Sequence, residues 1–265
     1  MQTQAVIEHI VAWLKDYAQK AGAKGFIVGI SGGIDSAVVS ILAARTGLEV
    51  LAIELPIHQQ SDQVNRAQAH ITDLTQRYPN TRGQRIDLTP TFQQFSDAVD
   101  VNEADFPAKA LALANARSRL RMVTLYYYAQ IHGLLVTGTG NKVEDFGVGF
   151  FTKYGDGGVD ISPVADLLKT QIYTLAQTLH VIPEIQAAIP TDGLWEEERS
   201  DEEQMGASYP ELEWAMGVYQ TQKPEDFSGR QREVLDIFLR LNKAMQHKIH
   251  PIPICDIPSE LLKTQ

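Results

Sequence analysis

A short run of small, hydroxylated and acidic residues has the composition needed to bind phosphate. The run, S-G-G-I-D-S at positions 31–36, follows an apolar stretch at 26–30 and precedes another at 37–44. Glycines let a backbone approach an anion closely, and the free N–H groups at the start of a helix attract negative charge. A carboxylate beside phosphates requires a cation between them, so Asp35 is a candidate Mg²⁺ ligand. We therefore predict a phosphate-binding turn that contributes to a metal site.

The spacing of this turn differs from two familiar nucleotide-binding loops. A Walker A loop needs a lysine that is missing here, and the dinucleotide fingerprint G-x-G-x-x-G is also absent. Residues 31–36 instead resemble the loop of enzymes that cleave ATP between its α and β phosphates. The alternative is an ordinary turn between a strand and a helix, where an acid near the helix start is common.

Further charged residues later in the chain could complete such a site. Glu144 ends the run G-T-G-N-K-V-E, and a carboxylate there could give Mg²⁺ a second protein ligand opposite Asp35. Lys153 and Lys169 are candidates for holding triphosphate charge, because a chain with a net charge of −10 has few cations to spare. Taken singly, each of the three could instead be an exposed surface residue.

One predicted helix carries three arginines at alternate positions. Arg117 and Arg121 share one face, whereas Arg119 lies opposite them together with Asn115. The Asn115/Arg119 face suits a phosphate or carboxylate, since a guanidinium group forms paired hydrogen bonds. For the other arginine pair we predict solvation or a subunit contact. The tyrosines at 126–128 favour core packing combined with a subunit contact.

The order of the predicted elements explains how these residues could meet. Strands alternate with helices, which predicts an α/β fold with a doubly wound parallel sheet flanked by helices. In such sheets ligands bind beyond the carboxyl ends of the strands, where the turns after the first and fourth strands both lie. The predicted strands are 26–30, 50–55, 84–88 and 134–137, and the predicted helices are 4–21, 37–44, 61–78, 92–99, 107–132 (with Pro107 in its first turn), 165–180 and 228–247.

Two stretches have no clear periodicity. Residues 141–160 are rich in glycine and too long for a plain connection, so we expect a functional loop there. Residues 191–209 are strongly acidic and fit either a solvated loop or a mobile lid over the site. No repeat or convincing linker divides the chain, which predicts a single domain over residues 1–265.

The composition limits the classes of function. A net charge of −10 argues against nucleic-acid binding, and no apolar run reaches the roughly 18 residues that a membrane span needs. The single cysteine, Cys255, rules out an intrachain disulfide and fits a cytoplasmic location. No Ser/His/Asp or Cys/His arrangement and no zinc spacing is apparent. The chemistry expected is therefore positioning and charge neutralisation without a protein nucleophile.

Several motifs together resemble the short, ammonia-dependent kind of NAD synthetase. They are G-I-S-G-G-I-D-S at 29–36, N-A-R-S-R-L-R-M at 115–122, G-T-G-N-K-V-E at 138–144, G-F-F-T-K-Y-G-D-G-G-V-D-I-S-P at 149–163, I-P-T-D-G-L-W at 189–195 and H-K at 247–248. The resemblance runs nearly end to end. It implies an adenine nucleotide alpha hydrolase-like fold and a homodimer that adenylates deamido-NAD with ATP, releases pyrophosphate, and lets ammonia displace AMP.

The resemblance also implies roles for individual residues. Asp35 and Glu144 would bind Mg²⁺, and Asp35, Lys153 and Lys169 would take part in catalysis. The residues implied for ATP are Gly29, Ile30, Ser31, Gly32, Gly33, Ile34, Asp35, Ser36, Thr139, Lys169 and Thr191. Those implied for deamido-NAD, at a subunit interface, are Arg119, Lys153, Asp160, His247 and Lys248.

The chain departs from the family pattern at three places. Ile34 replaces the usual glutamine, Gly140 and Asn141 stand where many members carry Asp-His, and one extra residue lies between Glu144 and Phe150. Two alternatives remain from the loop alone. One is another enzyme of the same loop type, such as a GMP synthetase-like or tRNA-modifying ligase. The other is a non-catalytic adenine-nucleotide sensor.

Overall fold

The structure is a computed structural model that describes residues 1–101, 106, 108–191, 193–194 and 200–262. Its sheet has four parallel strands in the order β3-β2-β1-β4. The strand order reverses direction between β1 and β4, so a crevice opens at their carboxyl ends. The strands are β1 Gly25–Gly29, β2 Glu49–Glu54, β3 Thr81–Arg85 and β4 Leu134–Val136.

Helices cover both faces of this sheet, which confirms the predicted α/β class. One core joins α1, α2, α3 and α6 to one face, and a second core joins α4 and α5 to the other. The α-helices are α1 Thr3–Lys20, α2 Ile34–Ala44, α3 Ser61–Arg77, α4 Thr89–Ala98, α5 Lys109–His132, α6 Lys169–Thr178, α7 Pro183–Gln186, α8 Asp201–Met205, α9 Tyr209–Val218 and α10 Gly229–Ile249. Short 3₁₀ turns lie at Pro224–Asp226 and Ser259–Leu262.

Several sequence-based boundaries were wrong. Strand β3 lies three residues before the predicted 84–88, because its own residues are polar and apolar residues follow it. Helix α6 begins at Lys169 and not at 165, and α2 begins at Ile34, which puts Asp35 in its first turn. The predicted helix start at Pro107 lies outside the described residues.

A C-terminal layer packs beside the sheet and was only partly predicted. Helices α9 and α10 enclose a third core that includes Leu212, Leu235 and Phe238. The sequence pattern does not indicate α9, and it predicts an irregular segment at 191–209, where the structure has helix α8. This layer contacts residues 143–148, which follow β4, and so borders the carboxyl edge of the sheet.

No helix in the described part of the chain is both long and apolar enough to cross a membrane.

A buried histidine between α2 and α3 makes stability depend on pH. His70 and Ser40 are both fully buried, with Nε2 and Oγ 2.8 Å apart, and burial lowers the pKa of His70 to about 4. An unfolded chain takes up this proton near pH 6.5, so the stabilisation is present above that pH and is lost as the pH falls towards 4. As the pH falls from 7 to 4, we expect the unfolding free energy of His70→Leu to decrease by up to about 3 kcal/mol less than that of wild type.

Urea unfolding of wild type and His70→Leu between pH 7 and pH 4 tests this expectation. The matched control is His9→Leu, because His9 lies exposed on α1. Equal pH dependence of the unfolding free energy in wild type and His70→Leu would contradict the role given to His70.

Candidate active site

The loop after β1 is held in shape by its own hydroxyl groups. Ser36 Oγ donates to the Gly33 carbonyl at 3.0 Å and lies 3.1 Å from Ser31 Oγ, while the Gly33 N–H donates to Ser31 Oγ at 3.1 Å. Gly33 is the N-cap of α2, so the first turn of that helix faces the crevice. Ser31 and Ser36 therefore form the loop's internal frame.

Only glycine fits at position 32. Its φ of +81° is a left-handed conformation, and a Cβ there would also overlap the Gln63 carbonyl of α3. The neighbouring Ile34 behaves differently, because its side chain is 4% exposed and belongs to the core. The departure from glutamine at this position therefore places an apolar side chain in the interior.

Lys169 joins the two acids that were predicted to bind a metal. Its Nζ lies 2.6 Å from Asp35 Oδ2 and 3.0 Å from Glu144 Oε1, and all three side chains are largely buried. Asp35 comes from the first turn of α2, Glu144 from the segment after β4, and Lys169 from the start of α6. Residues far apart in sequence thus converge at the carboxyl edge of the sheet.

Burial and charge act against each other in this cluster. Burial alone lowers the pKa of Lys169, but the carboxylates of Asp35 and Glu144 outweigh it and hold that pKa above its ordinary value. Burial raises the pKa of Asp35, and the adjacent Lys169 opposes that rise. The lysine is therefore a firmly charged partner of the acids.

Asn141 connects this cluster to the segment after β4. It is fully buried, its amide nitrogen donates to Asp35 Oδ1 at 3.4 Å, and its amide oxygen accepts from the Glu144 N–H at 3.2 Å. Asn141, at the position where the resemblance leads us to expect histidine, therefore holds both Asp35 and Glu144 in place.

Residues Val143–Val148 form a π-helix, which lies in the interval where the resemblance leads us to expect one extra residue. Turns of the π type are rare and frequently lie at functional sites. The loop expected at 141–160 is therefore partly helical. A Cβ built on Gly140 would overlap the carboxylate of Asp145, which takes up the space left by the missing side chain.

Two further acids border the crevice and were not singled out from the sequence. Asp156 accepts hydrogen bonds from Ser118 Oγ at 2.8 Å and from the Thr152 N–H at 2.9 Å. Burial raises its pKa, and burial with nearby carboxylates raises the pKa of Asp145 well above its usual range. Asp156 lies inside the motif G-F-F-T-K-Y-G-D-G-G, and this motif is the sequence feature that could have indicated its place in the site.

Tyr209 and Asp201 also belong to the site and were missed. The Tyr209 hydroxyl lies 2.5 Å from Glu144 Oε1 and 3.0 Å from Asp201 Oδ2. Burial and the neighbouring carboxylates of Glu144 and Asp201 raise the pKa of Tyr209, so the phenol keeps its proton. No local pattern links a tyrosine to an acid 65 positions away, and the contact arises only from the fold.

One crevice contains every residue that the family resemblance implied for ATP. These residues lie on the loop, at the end of β4, at the start of α6 and before the acidic segment. They are Gly29, Ile30, Ser31, Gly32, Gly33, Ile34, Asp35, Ser36, Thr139, Lys169 and Thr191, and Glu144 lies with them. Within the predicted lid at 191–209, residues 192 and 195–199 lie outside the described residues, and Asp201–Met205 forms helix α8.

Four residues implied for deamido-NAD gather elsewhere, near the end of α10. Arg119 Nε donates to the Lys153 carbonyl at 3.2 Å, and Lys153 Nζ donates to the His247 carbonyl. Lys248 Nζ donates to the Phe151 carbonyl at 2.5 Å and lies over the Phe151 ring. The group therefore forms a basic surface that is separate from the crevice lining.

Asp160 does not join that basic group. Its carboxylate accepts from Tyr126 Oη at 3.0 Å and from the Val136 N–H at 2.8 Å, so it anchors β4 to α5. Its predicted contact with deamido-NAD stays a prediction.

The solvation expected for the other two arginines is not observed, whereas the alternative of a subunit contact stays a prediction. Arg117 is 7% exposed, donates to the Leu194 carbonyl at 2.9 Å and lies over the Phe92 ring. Arg121 donates to the Leu55 carbonyl at 3.0 Å and to Gln59 Oε1 at 2.8 Å. Both arginines therefore tie α5 to neighbouring segments of the chain.

The two carboxylates of Asp35 and Glu144 suit a hard cation that also binds ligands from outside the protein. No group of three or more His, Cys, Asp or Glu side chains able to hold a metal occurs among the described residues. Asp35 and Glu144 provide carboxylate oxygens, which Mg²⁺ prefers, and Mg²⁺ commonly takes one or two carboxylates together with substrate phosphates. The arrangement therefore fits a metal brought in with a nucleotide.

The fold and crevice define an α/β protein with a loop suited to phosphate at the carboxyl edge of a parallel sheet. We call residues 31–36 the phosphate-type loop. The model of the NAD synthase family matches residues 6–251. The chain therefore belongs to the NAD synthase family.

Individual relatives agree with this assignment. The chain is similar to an NH(3)-dependent NAD(+) synthetase of Syntrophomonas wolfei, with 36% identity over 98% of this chain and 99% of the relative. It is 37% identical to one of Mesoplasma florum over 80% of this chain and 84% of the relative. Among solved structures, an NMN synthetase from Francisella tularensis aligns with a TM-score of 0.84 and 31% identity, covering 97% of this chain and 100% of that one.

Proposed function

We propose that the protein makes NAD from deamido-NAD, ATP and ammonia, and releases AMP and pyrophosphate. The observation that carries the proposal is the Lys169 bridge, which gathers two acids from distant elements beside the phosphate-type loop. This combination fits a nucleotide triphosphate with a divalent cation. The relatives named NH(3)-dependent NAD(+) synthetase favour this substrate set over the GMP synthetase-like and sensor alternatives.

The residues of the crevice would divide the chemistry between them. The loop at 31–36 and the first turn of α2 would bind phosphate oxygens through backbone N–H groups. Asp35 and Glu144 would hold Mg²⁺, which supplies charge neutralisation on the phosphates when bound. Lys169, charged and buried, would stabilise the negative charge that grows as the nicotinate carboxylate attacks the α-phosphorus and pyrophosphate leaves.

The second half of the reaction needs only positioning. Ammonia attacks the carbonyl carbon of the adenylated substrate, the bond to AMP breaks, and the nitrogen loses a proton to give the amide. We propose that Arg119, Lys153, Asp160, His247 and Lys248 bind deamido-NAD, and that Thr139 and Thr191 contact ATP. The basic group near the end of α10 offers the charge that a dinucleotide's phosphates require.

A direct assay tests the proposal. Purified protein is supplied with ATP, Mg²⁺, ammonium and deamido-NAD, and the products are separated. We expect NAD, AMP and pyrophosphate in equal amounts. Production of ADP, or the absence of NAD, would contradict the proposed reaction.

A second candidate product is NMN, which the Francisella tularensis relative favours by its name and its TM-score of 0.84. The corresponding acceptor, nicotinate mononucleotide, carries the same reacting carboxylate but lacks the AMP half. The ratio of kcat/KM for the two acceptors separates the candidates. If kcat/KM is higher for nicotinate mononucleotide than for deamido-NAD, nicotinate mononucleotide becomes the proposed substrate.

We further propose that the protein is a homodimer through α5. Val123, Tyr127 and Ile131 are 57%, 61% and 57% exposed and follow one another at four-residue spacing along the helix, whereas Tyr126 and Tyr128 pack against the core. An apolar stripe of this kind is typical of a surface that another chain covers.

The dimer proposal predicts that Val123→Glu lowers the mass in solution. A buried carboxylate at the contact would cost several kcal/mol, so light scattering should show a dimer for wild type and a 29.4 kDa monomer for the variant. The matched control is Val99→Glu, at an exposed valine beyond α4. A monomeric wild type would contradict the proposal.

We also propose that the protein works in the cytosol. Cys255 is an exposed free thiol, which suits a reducing compartment.

A further inference from the structure

We propose that Tyr209 is a positioning residue that orients the Glu144 carboxylate for a divalent cation. The inference rests on the proposed function, in which Glu144 is a metal ligand. It concerns a side chain on α9, outside the phosphate-type loop and outside every motif noted in the sequence.

The contacts of Glu144 are unequal on its two oxygens. Tyr209 Oη at 2.5 Å and Lys169 Nζ at 3.0 Å both approach Oε1. Within the described residues no hydrogen bond or ion pair is made to Oε2, and Glu144 borders the crevice. The tyrosine and the lysine thus fix Oε1, whereas Oε2 has no recorded partner among the described residues. Outer partners of this kind commonly set the orientation of a metal-binding carboxylate.

Tyr209 is itself held rigidly. Its ring is 4% exposed within the third core, and its N–H donates to Glu202 Oε1 at 2.8 Å. The centre of the ring also lies 4.8 Å from the Lys169 ammonium, so the Tyr209 side chain contacts both Lys169 and Glu144. A fixed ring places its hydroxyl at one position, as a positioning role requires.

The hydroxyl has a single proton, which makes its contact with Glu144 directional. A phenol donates one hydrogen bond at a time, and the Glu144 contact at 2.5 Å is shorter than the Asp201 contact at 3.0 Å. The C-terminal layer is thereby connected to Glu144 through one donated bond. Packing of the ring alone would not produce that connection.

Tyr209→Phe separates orientation from packing, because it keeps the ring and removes the donor. Mn²⁺ serves as the probe, and its binding is followed by electron paramagnetic resonance with α,β-methylene ATP present, below the melting transition of each variant. We expect Tyr209→Phe to bind Mn²⁺ about 10-fold more weakly than wild type. The matched control is Tyr219→Phe, whose hydroxyl accepts only from Gln220 among the recorded contacts and whose ring also packs in the third core.

A double-variant cycle shows whether the effect passes through Glu144. In a Glu144→Gln background the further change Tyr209→Phe should leave Mn²⁺ binding unaltered. Equal Mn²⁺ affinity of wild type and Tyr209→Phe, or an equal loss in the Glu144→Gln background, overturns the inference while the proposed metal site stands. Absence of Mn²⁺ binding by the wild-type protein overturns the proposed metal site together with the inference.

Discussion

Asp35→Asn should lower kcat for NAD formation by about 10³-fold while leaving the protein folded. The asparagine keeps the size of the side chain and an oxygen that can accept from Lys169, so the contact at 2.6 Å has a neutral replacement. It removes the negative charge that would hold Mg²⁺ against the phosphates. The loss should therefore appear in turnover and in metal affinity together.

Steady-state kinetics with saturating ATP, ammonium and deamido-NAD measures this effect, and a thermal melt checks the fold. The matched control is Asp16→Asn, at an exposed acid on α1 that pairs with Lys20. A variant that keeps more than about a tenth of the wild-type kcat would show that Asp35 does not hold the metal.

Lys169→Met should destabilise the fold by about 3–5 kcal/mol at neutral pH, because it leaves two buried carboxylates without a cation. It should also abolish most NAD formation. Burial and repulsion from Glu144 then raise the folded-state pKa of Asp35 above that of the unfolded chain. A group with a raised folded pKa contributes stability that is present at low pH and is lost as the pH rises through that pKa. The destabilisation should consequently be smaller at pH 5 than at pH 8.

Urea unfolding at pH 5 and pH 8 provides the comparison. The matched control is Lys142→Met, which breaks the exposed pair with Asp166 and should change the unfolding free energy by no more than about 0.5 kcal/mol. A destabilisation by Lys169→Met that did not grow with pH would argue against the uncompensated carboxylates as its cause.

Features determined by neighbouring residues could be predicted from the sequence. The phosphate-type loop needs only an apolar strand, a glycine turn and a helix start, and all three lie within 26–44. The meeting of Asp35 and Glu144 followed from one further rule, that carboxyl ends of parallel strands share an edge. That expectation holds, since Lys169 contacts both acids.

Features that depend on distant partners could not be predicted in this way. Strand β3 is an edge strand with polar residues, so its position is set by pairing with β2 and not by its own pattern. Arg117 and Arg121 looked like surface cations, but the carbonyls that accept from them lie in other elements. Tyr209 reaches Glu144 only because α9 and α10 pack beside the π-helix, which no local periodicity encodes.

The ammonium group enclosed between Asp35 and Glu144 has a consequence for how the protein matures. The chain supplies its own counter-ion at the place where we propose that a divalent cation binds, so the two clustered acids need no outside partner while folding proceeds. Folding would then not depend on the proposed metal, unlike in domains that fold only around their ion. Newly made chains would thus reach their native form even in surroundings depleted of divalent salts, and wait there for the nucleotide.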